Sequence, residues 1–248
     1  IDMAGFLTET DGNTIIASGN TTVKNANLVD NSNPATSAAS TPLLMAAEGS
    51  TLTVKDTDID TTSAEAVTAT NATVVLENVT INSSMNEDIA ATTFDARPLI
   101  YAGNSNLTIK DGSIVADSSS ADDCGLYGIY GANGSTITLG DQATGEGPTI
   151  ITNSAPIGTN NTTGGMYKLT IYGGYYKSLM SHKSWMGAMY LGGGSEVEIF
   201  GGTFDGGDYD IALPYKPAKY IVKIHGGVFE GSEITIKKDY KNGGSGED

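Results

Sequence analysis

At 248 residues, with 39% apolar and 17% charged residues and a net charge of −16, the chain is long enough to bury one continuous core, and it would be repelled by a phosphate backbone or an anionic membrane surface. A single cysteine, Cys124, excludes an internal disulfide framework and a thiolate metal site. No signal peptide, transmembrane run or lipidation pattern is evident, and the start at Ile1 suggests a mature or trimmed fragment of something larger.

In chain order, a strand-turn-strand phrase first appears at Thr22-Val23-Lys24-Asn25-Ala26-Asn27-Leu28 and returns at Thr53 to Ile59, Val75 to Ile81 and Thr108 to Ile114. A weaker copy begins at Thr138-Leu139-Gly140-Asp141, and three more run from Thr170 to Tyr176, Glu198 to Phe204 and Lys223 to Phe229. The second apolar residue of each copy marks the repeat: Val23, Val54, Leu76, Ile109, Leu139, Ile171, Ile199 and Ile224, at intervals of 31, 22, 33, 30, 32, 28 and 25 by subtraction. Intervals in this range are those of solenoids.

The columns define the solenoid. Two places before the marker stand Thr21, Leu52, Val74, Leu107, Ile137, Leu169, Val197 and Val222, so an apolar pair at period 2 points inward in nearly every copy. Two places after it stand Asn25, Asp56, Asn78, Asp111, Asp141, Gly173, Gly201 and Gly226, residue types that tolerate a left-handed corner. Five places after it the chain is apolar again at Leu28, Ile59, Ile81, Ile114, Tyr176, Phe204 and Phe229, as a second strand requires. Coil five departs at Asp141 to Pro148, which reads as an outward loop.

Coils of variable length with Asn/Asp/Gly corners resemble the right-handed parallel β-helix of the pectin-lyase-like superfamily, over roughly residues 13 to 238. The expected fold is all-β, a right-handed parallel β-helix of about eight coils, forming one domain over residues 1–240, with 241–248 as a flexible tail. The resemblance also implies two enzyme types. Lyases of the superfamily use a basic residue beside carboxylate-bound calcium, and its hydrolases use clustered aspartates with a histidine and a basic pair. Only Arg97, Asp95, Asp122, Asp123, Asp141, His182 and His225 offer fragments of either set, and catalysis is not expected.

All twelve tyrosines lie at or after Tyr101, and the outward place after the marker changes from Lys24, Lys55, Glu77 and Lys110 to Tyr172, Phe200 and His225. These three are expected to stack in consecutive coils. With Tyr175, Trp185, Tyr190 and Tyr209 they form a candidate surface for a polysaccharide or glycan, whose apolar ring faces and hydroxyls suit aromatic and acidic groups. Asp205, Asp208 and Asp210, or Asp56, Asp58 and Asp60, are oxygen sets of a kind that suits calcium, although no cofactor is otherwise required. Ranks of threonine, including Thr51, Thr53, Thr136 and Thr138, suggest ice binding, against which the uneven coil lengths argue. The Asn-x-Ser/Thr triplets are explained by composition.

The expectation is a non-catalytic, adhesin-like part of a larger surface protein, at the cell surface or wall or free outside the cell, with no nucleic-acid partner and no membrane insertion. A polysaccharide lyase or hydrolase on the same scaffold, or a passive stalk, are the alternatives.

Overall fold

The computed structural model describes residues 1–5, 7–10, 15–30, 42–62, 65–84, 97–116, 126–159, 167–179, 187–207, 209–213, 219–231 and 234–238. Every regular element among them is a strand, and the strands form one 15-stranded and one 9-stranded sheet. The pairings are parallel, so the chain is a parallel β-helix with three walls.

In the first wall the repeat markers lie directly over one another. Val23 pairs with Val54, Val54 with Leu76, Leu76 with Ile109, and so on through Leu139, Ile171 and Ile199 to Ile224. The column two places earlier, from Thr21 and Leu52 to Val197 and Val222, keeps the same register. From Val23 to Ile199 the markers are buried, whereas Ile224, in the last described coil, is 42% exposed.

The corner between the first and second walls explains why the inward residues change parity. Leu52 and Val54 face the core, Asp56 takes a left-handed φ of 47°, and the next buried residues are Thr57, Ile59 and Thr61. Asn25 and Asn78 do the same at φ 53° and 51°. One left-handed residue rotates the chain so that the inward positions switch parity, from even to odd at Asp56 and Asn78 and from odd to even at Asn25. Strands Thr51–Thr61 and Thr73–Ser83 pass through this corner unbroken and so join both walls in one sheet.

From the fourth repeat onward the corner differs from expectation; in the fifth the left-handed residue is Gly140, at φ 86°, one place before Asp141, and in the other four it moves the opposite way. In the fourth, sixth, seventh and eighth repeats it is one place later than expected, at Gly112, Gly174, Gly202 and Gly227, with φ between 105° and 122°. Asp111, Gly173, Gly201 and Gly226 are not left-handed. A Cβ on Gly112 would lie 2.2 Å from the Val79 carbonyl oxygen, so close stacking of the rungs admits only glycine there.

The second wall stacks Leu28, Ile59, Ile81, Ile114, Ile150, Tyr176, Phe204 and Phe229. Ile150 fills the place vacant in the fifth repeat, after a loop that turns on itself through the Asp141 N–H to the Glu146 carbonyl, 2.9 Å. Inside, Tyr176 stacks on Phe204 and Phe204 on Phe229, with centroids 5.1 and 5.0 Å apart.

The third wall is the 9-stranded sheet. Its inward column runs Ile15, Leu44, Val67, Ile100, Ile129, Ile157, Met189, Ile211 and Ile236. Where this wall returns to the first, buried Ser50, Ser135 and Ser195 donate to the carbonyls of Ala47, Ala132 and Gly192 at 2.6 to 2.7 Å, closing the turn with a side chain. The three walls enclose one apolar cluster.

Candidate functional site

The place just after the marker faces outward at the edge of the first wall. In the early coils it carries charge, and Glu77 holds both Lys55 of the rung before and Lys110 of the rung after. Lys110 first and Lys55 second hold the Glu77 carboxyl below its ordinary value of 4.5.

In the late coils the same column is aromatic. Tyr172 stacks on Phe200 with centroids 5.3 Å apart and planes 20° from parallel, and Phe200 on His225 at 4.6 Å and 7°. Phe200 is 43% exposed, but both its faces are covered by its neighbours, so it presents an edge to solvent. The face of His225 turned away from Phe200 carries no ring among the described residues. Beside the ladder, Glu198 Oε1 meets His225 Nε2 at 3.0 Å and Lys223 Nζ at 4.0 Å.

The other expected site residues are dispersed. Tyr175 lies on the second wall, where its hydroxyl donates to Asp205 Oδ2 at 3.4 Å. Lys177 pairs with the same oxygen at 3.0 Å, which pushes the lysine up from its ordinary value. Tyr190 and Tyr209 belong to third-wall strands Gly187–Tyr190 and Tyr209–Leu213. A single surface joining them to Tyr172 and Phe200 is therefore not what the fold builds, because the ladder and these tyrosines are carried by different sheets. Trp185 and Asp208 lie outside the described residues.

Asp56, Asp60, Asp205 and Asp210 of the two acidic sets bond within the fold. Asp210 is fully buried on the third wall, and its Oδ1 accepts the Gly206 and Gly231 N–H groups at 3.2 and 3.0 Å. Burial raises its carboxyl above the usual range. Asp56 and Asp60 accept the side-chain amides of Asn78 and Asn82 at 2.8 and 3.0 Å, linking adjacent rungs. Among the described residues no three His, Cys, Asp or Glu side chains are grouped to hold a metal. Of the catalytic fragments, Asp141 accepts the Ala143 N–H within its own loop at 2.7 Å. Asp95, Asp122, Asp123, Cys124, His182 and the Arg97 side chain lie outside the described residues, as does the tail 241–248.

Two features were not expected from the sequence. On the outer side of the third wall Thr68, Tyr101, Tyr130, Gly158 and Tyr190 form one column. Tyr101 and Tyr130 stack at 6.3 Å, while Tyr127 lies over Gly158, where a Cβ would fall 2.2 Å from its ring. Burial pushes Tyr130 up to about 12. The second feature is a polar hollow beside Asn71 and Asn104. The tyrosine-glycine run Tyr127-Gly128-Ile129-Tyr130-Gly131 was the available signal for the first.

Comparison with protein-family models, with curated proteins and with solved structures finds no match to this chain.

Proposed function

We propose that the chain is a non-catalytic, adhesin-like module of an extracellular or wall-attached protein, built on the pectin-lyase-like plan, that binds polysaccharide or host glycan through the outer surface of its C-terminal coils. The observation that supports this reading is the solvent-facing ladder Tyr172, Phe200 and His225, flanked on the same wall by Glu198 and Lys223. Its rings offer polarised C–H edges and an imidazole face that no ring among the described residues covers, and its flanks offer charged hydrogen-bonding groups. A glycan lying along the corner would meet both.

A ladder on strands costs little ordering entropy when it binds, because each ring is already held by the rungs above and below it. The chain's charge of −16 favours neutral glycans over polyuronates unless a cation bridges them.

The test is a glycan array and polysaccharide pull-down with the parent, Phe200→Ala and Tyr172→Ala. Retention by the parent and loss by both variants is the expected result. Equal retention by all three would remove the ladder from the site. Release of unsaturated uronides or reducing ends from pectin, alginate or xylan would replace the reading with an enzyme, and binding to none would leave a stalk.

A further inference from the structure

Where the third wall turns into the first, an open, shallow hollow of about 260 Å³ is lined by Thr51, Thr73 and Asn106 on the first wall and by Asn71 and Asn104 at the corner. The register makes it. Thr51 lies beside Thr73 and Thr73 beside Asn106, so three successive rungs, about 10 Å of solenoid, present uncharged polar groups to the same side. Asn71 and Asn104 adopt left-handed φ of 52° and 47°, which suits asparagine and places both amides at the rim. Gly49 and Ala72 leave the space open: a Cβ on Gly49 would meet nothing within 4 Å.

The hydrogen-bonding capacity of this hollow is largely unused. The Asn104 amide donates to Asn71 Oδ1 at 2.6 Å, and the Asn71 amide hydrogens and Asn104 Oδ1 make no hydrogen bond among the described residues. The side chains of Thr51, Thr73 and Asn106 make no hydrogen bond among the described residues. No charged side chain lines the hollow, in a chain carrying −16, so its chemistry is that of neither a cation site nor an anion site. Amides and hydroxyls that both donate and accept, with threonine methyls between them, match the alternating hydroxyls and C–H groups of a pyranose. The volume lies just below the roughly 300 Å³ at which drug-sized sites begin, which suits one sugar residue.

We propose that this corner hollow binds one residue of an uncharged glycan through Asn71, Asn104, Asn106, Thr51 and Thr73. The proposal rests on the reading of the chain as a glycan-binding module, and adds a contact site on the early coils that selects neutral over acidic sugars. Asn71-Ala72-Thr73 and Asn106-Leu107-Thr108 are also acceptor triplets for N-glycosylation, so the test uses protein made in a host that does not attach such glycans.

The full chain, with Thr73→Arg, Asn106→Leu and, as a comparison, Phe200→Ala, is titrated calorimetrically with xylohexaose, cellohexaose, mannohexaose and hexagalacturonate. The expected result is binding of at least one neutral hexaose in preference to hexagalacturonate, weakened about tenfold or more by Thr73→Arg and Asn106→Leu with unchanged Tm. If Thr73→Arg lowers Tm, Asn106→Leu, on an exposed side chain, decides alone. Parental affinity in both hollow variants with loss in Phe200→Ala overturns the hollow and leaves the C-terminal reading standing. Preference for hexagalacturonate also overturns the hollow. A parent that binds none of these sugars overturns the hollow, and with a blank glycan array it overturns the reading beneath it.

Discussion

The ring of Phe200 lies over the imidazole of His225, with centroids 4.6 Å apart and planes 7° from parallel. Since Phe200 also stacks on Tyr172, it couples three rungs through one exposed column. Phe200→Ala should cost about 0.5–1.5 kcal/mol of stability from each lost stack, read from urea unfolding. In a double-mutant cycle with Tyr172→Ala the two losses should fall short of additive. Additive losses would mean the rings do not interact in solution.

Glu77 predicts an acid-sensitive point in the early coils. Its folded value is depressed, so its contribution is complete above the unfolded value of 4.5 and is lost as pH falls through the lower folded value. Glu77→Gln should lower stability at pH 7 by about 0.5–1 kcal/mol, and the gap from the parent should narrow below pH 4. Thermal melts at several pH values check this, and a gap that widened in acid would contradict the ion triad.

Asp210 has the opposite sign. Burial raises its folded value, so the group favours the folded state most when protonated, and that advantage shrinks as pH rises from 3.8 through the folded value. Asp210→Asn keeps an acceptor for the Gly206 and Gly231 N–H groups without a buried charge. Its Tm at pH 7 should equal or exceed the parent's, with the difference closing near pH 4. Asp210→Ala, which strands both donors, should lose about 1–3 kcal/mol.

Two glycines separate steric need from mere flexibility. A Cβ on Gly173 would lie 1.9 Å from the Gly145 carbonyl oxygen, so Gly173→Ala must displace the 140–148 loop and should cost about 1–3 kcal/mol. Gly19 has an ordinary φ and nothing within 4 Å of that position, so Gly19→Ala should be neutral or stabilising by about 0.4–1 kcal/mol. Differential scanning calorimetry on both variants distinguishes them.

The first and second walls were legible because their residues keep constant offsets. From Val23 to Leu28 and from Ile199 to Phe204 the step is five in each case, so an apolar alternation and a corner residue type sufficed. The third wall was hidden because its inward residues precede the marker by 8, 10, 9, 9, 10, 14, 10 and 13 places, counted from Ile15, Leu44, Val67, Ile100, Ile129, Ile157, Met189 and Ile211. That hidden wall is what removed Tyr190 and Tyr209 from the aromatic surface. The stacking of Tyr172, Phe200 and His225 followed from register alone. Which part of each ring faces water did not, since it depends on side-chain torsions that no spacing encodes. The shift of the left-handed residue to Gly112 was equally silent, because Asp111 and Gly112 both tolerate that conformation.

Between Leu139 and Ile150 the corner grows from five residues to eleven, yet Leu139 still sits on Ile171 and Ile150 on Tyr176. Extra length is extruded sideways instead of propagating along the axis. Residues 142–144, exposed and placed before the Gly145 carbonyl that closes on Gly173, are thus a natural graft point: a foreign peptide inserted there would be displayed on a stiff scaffold.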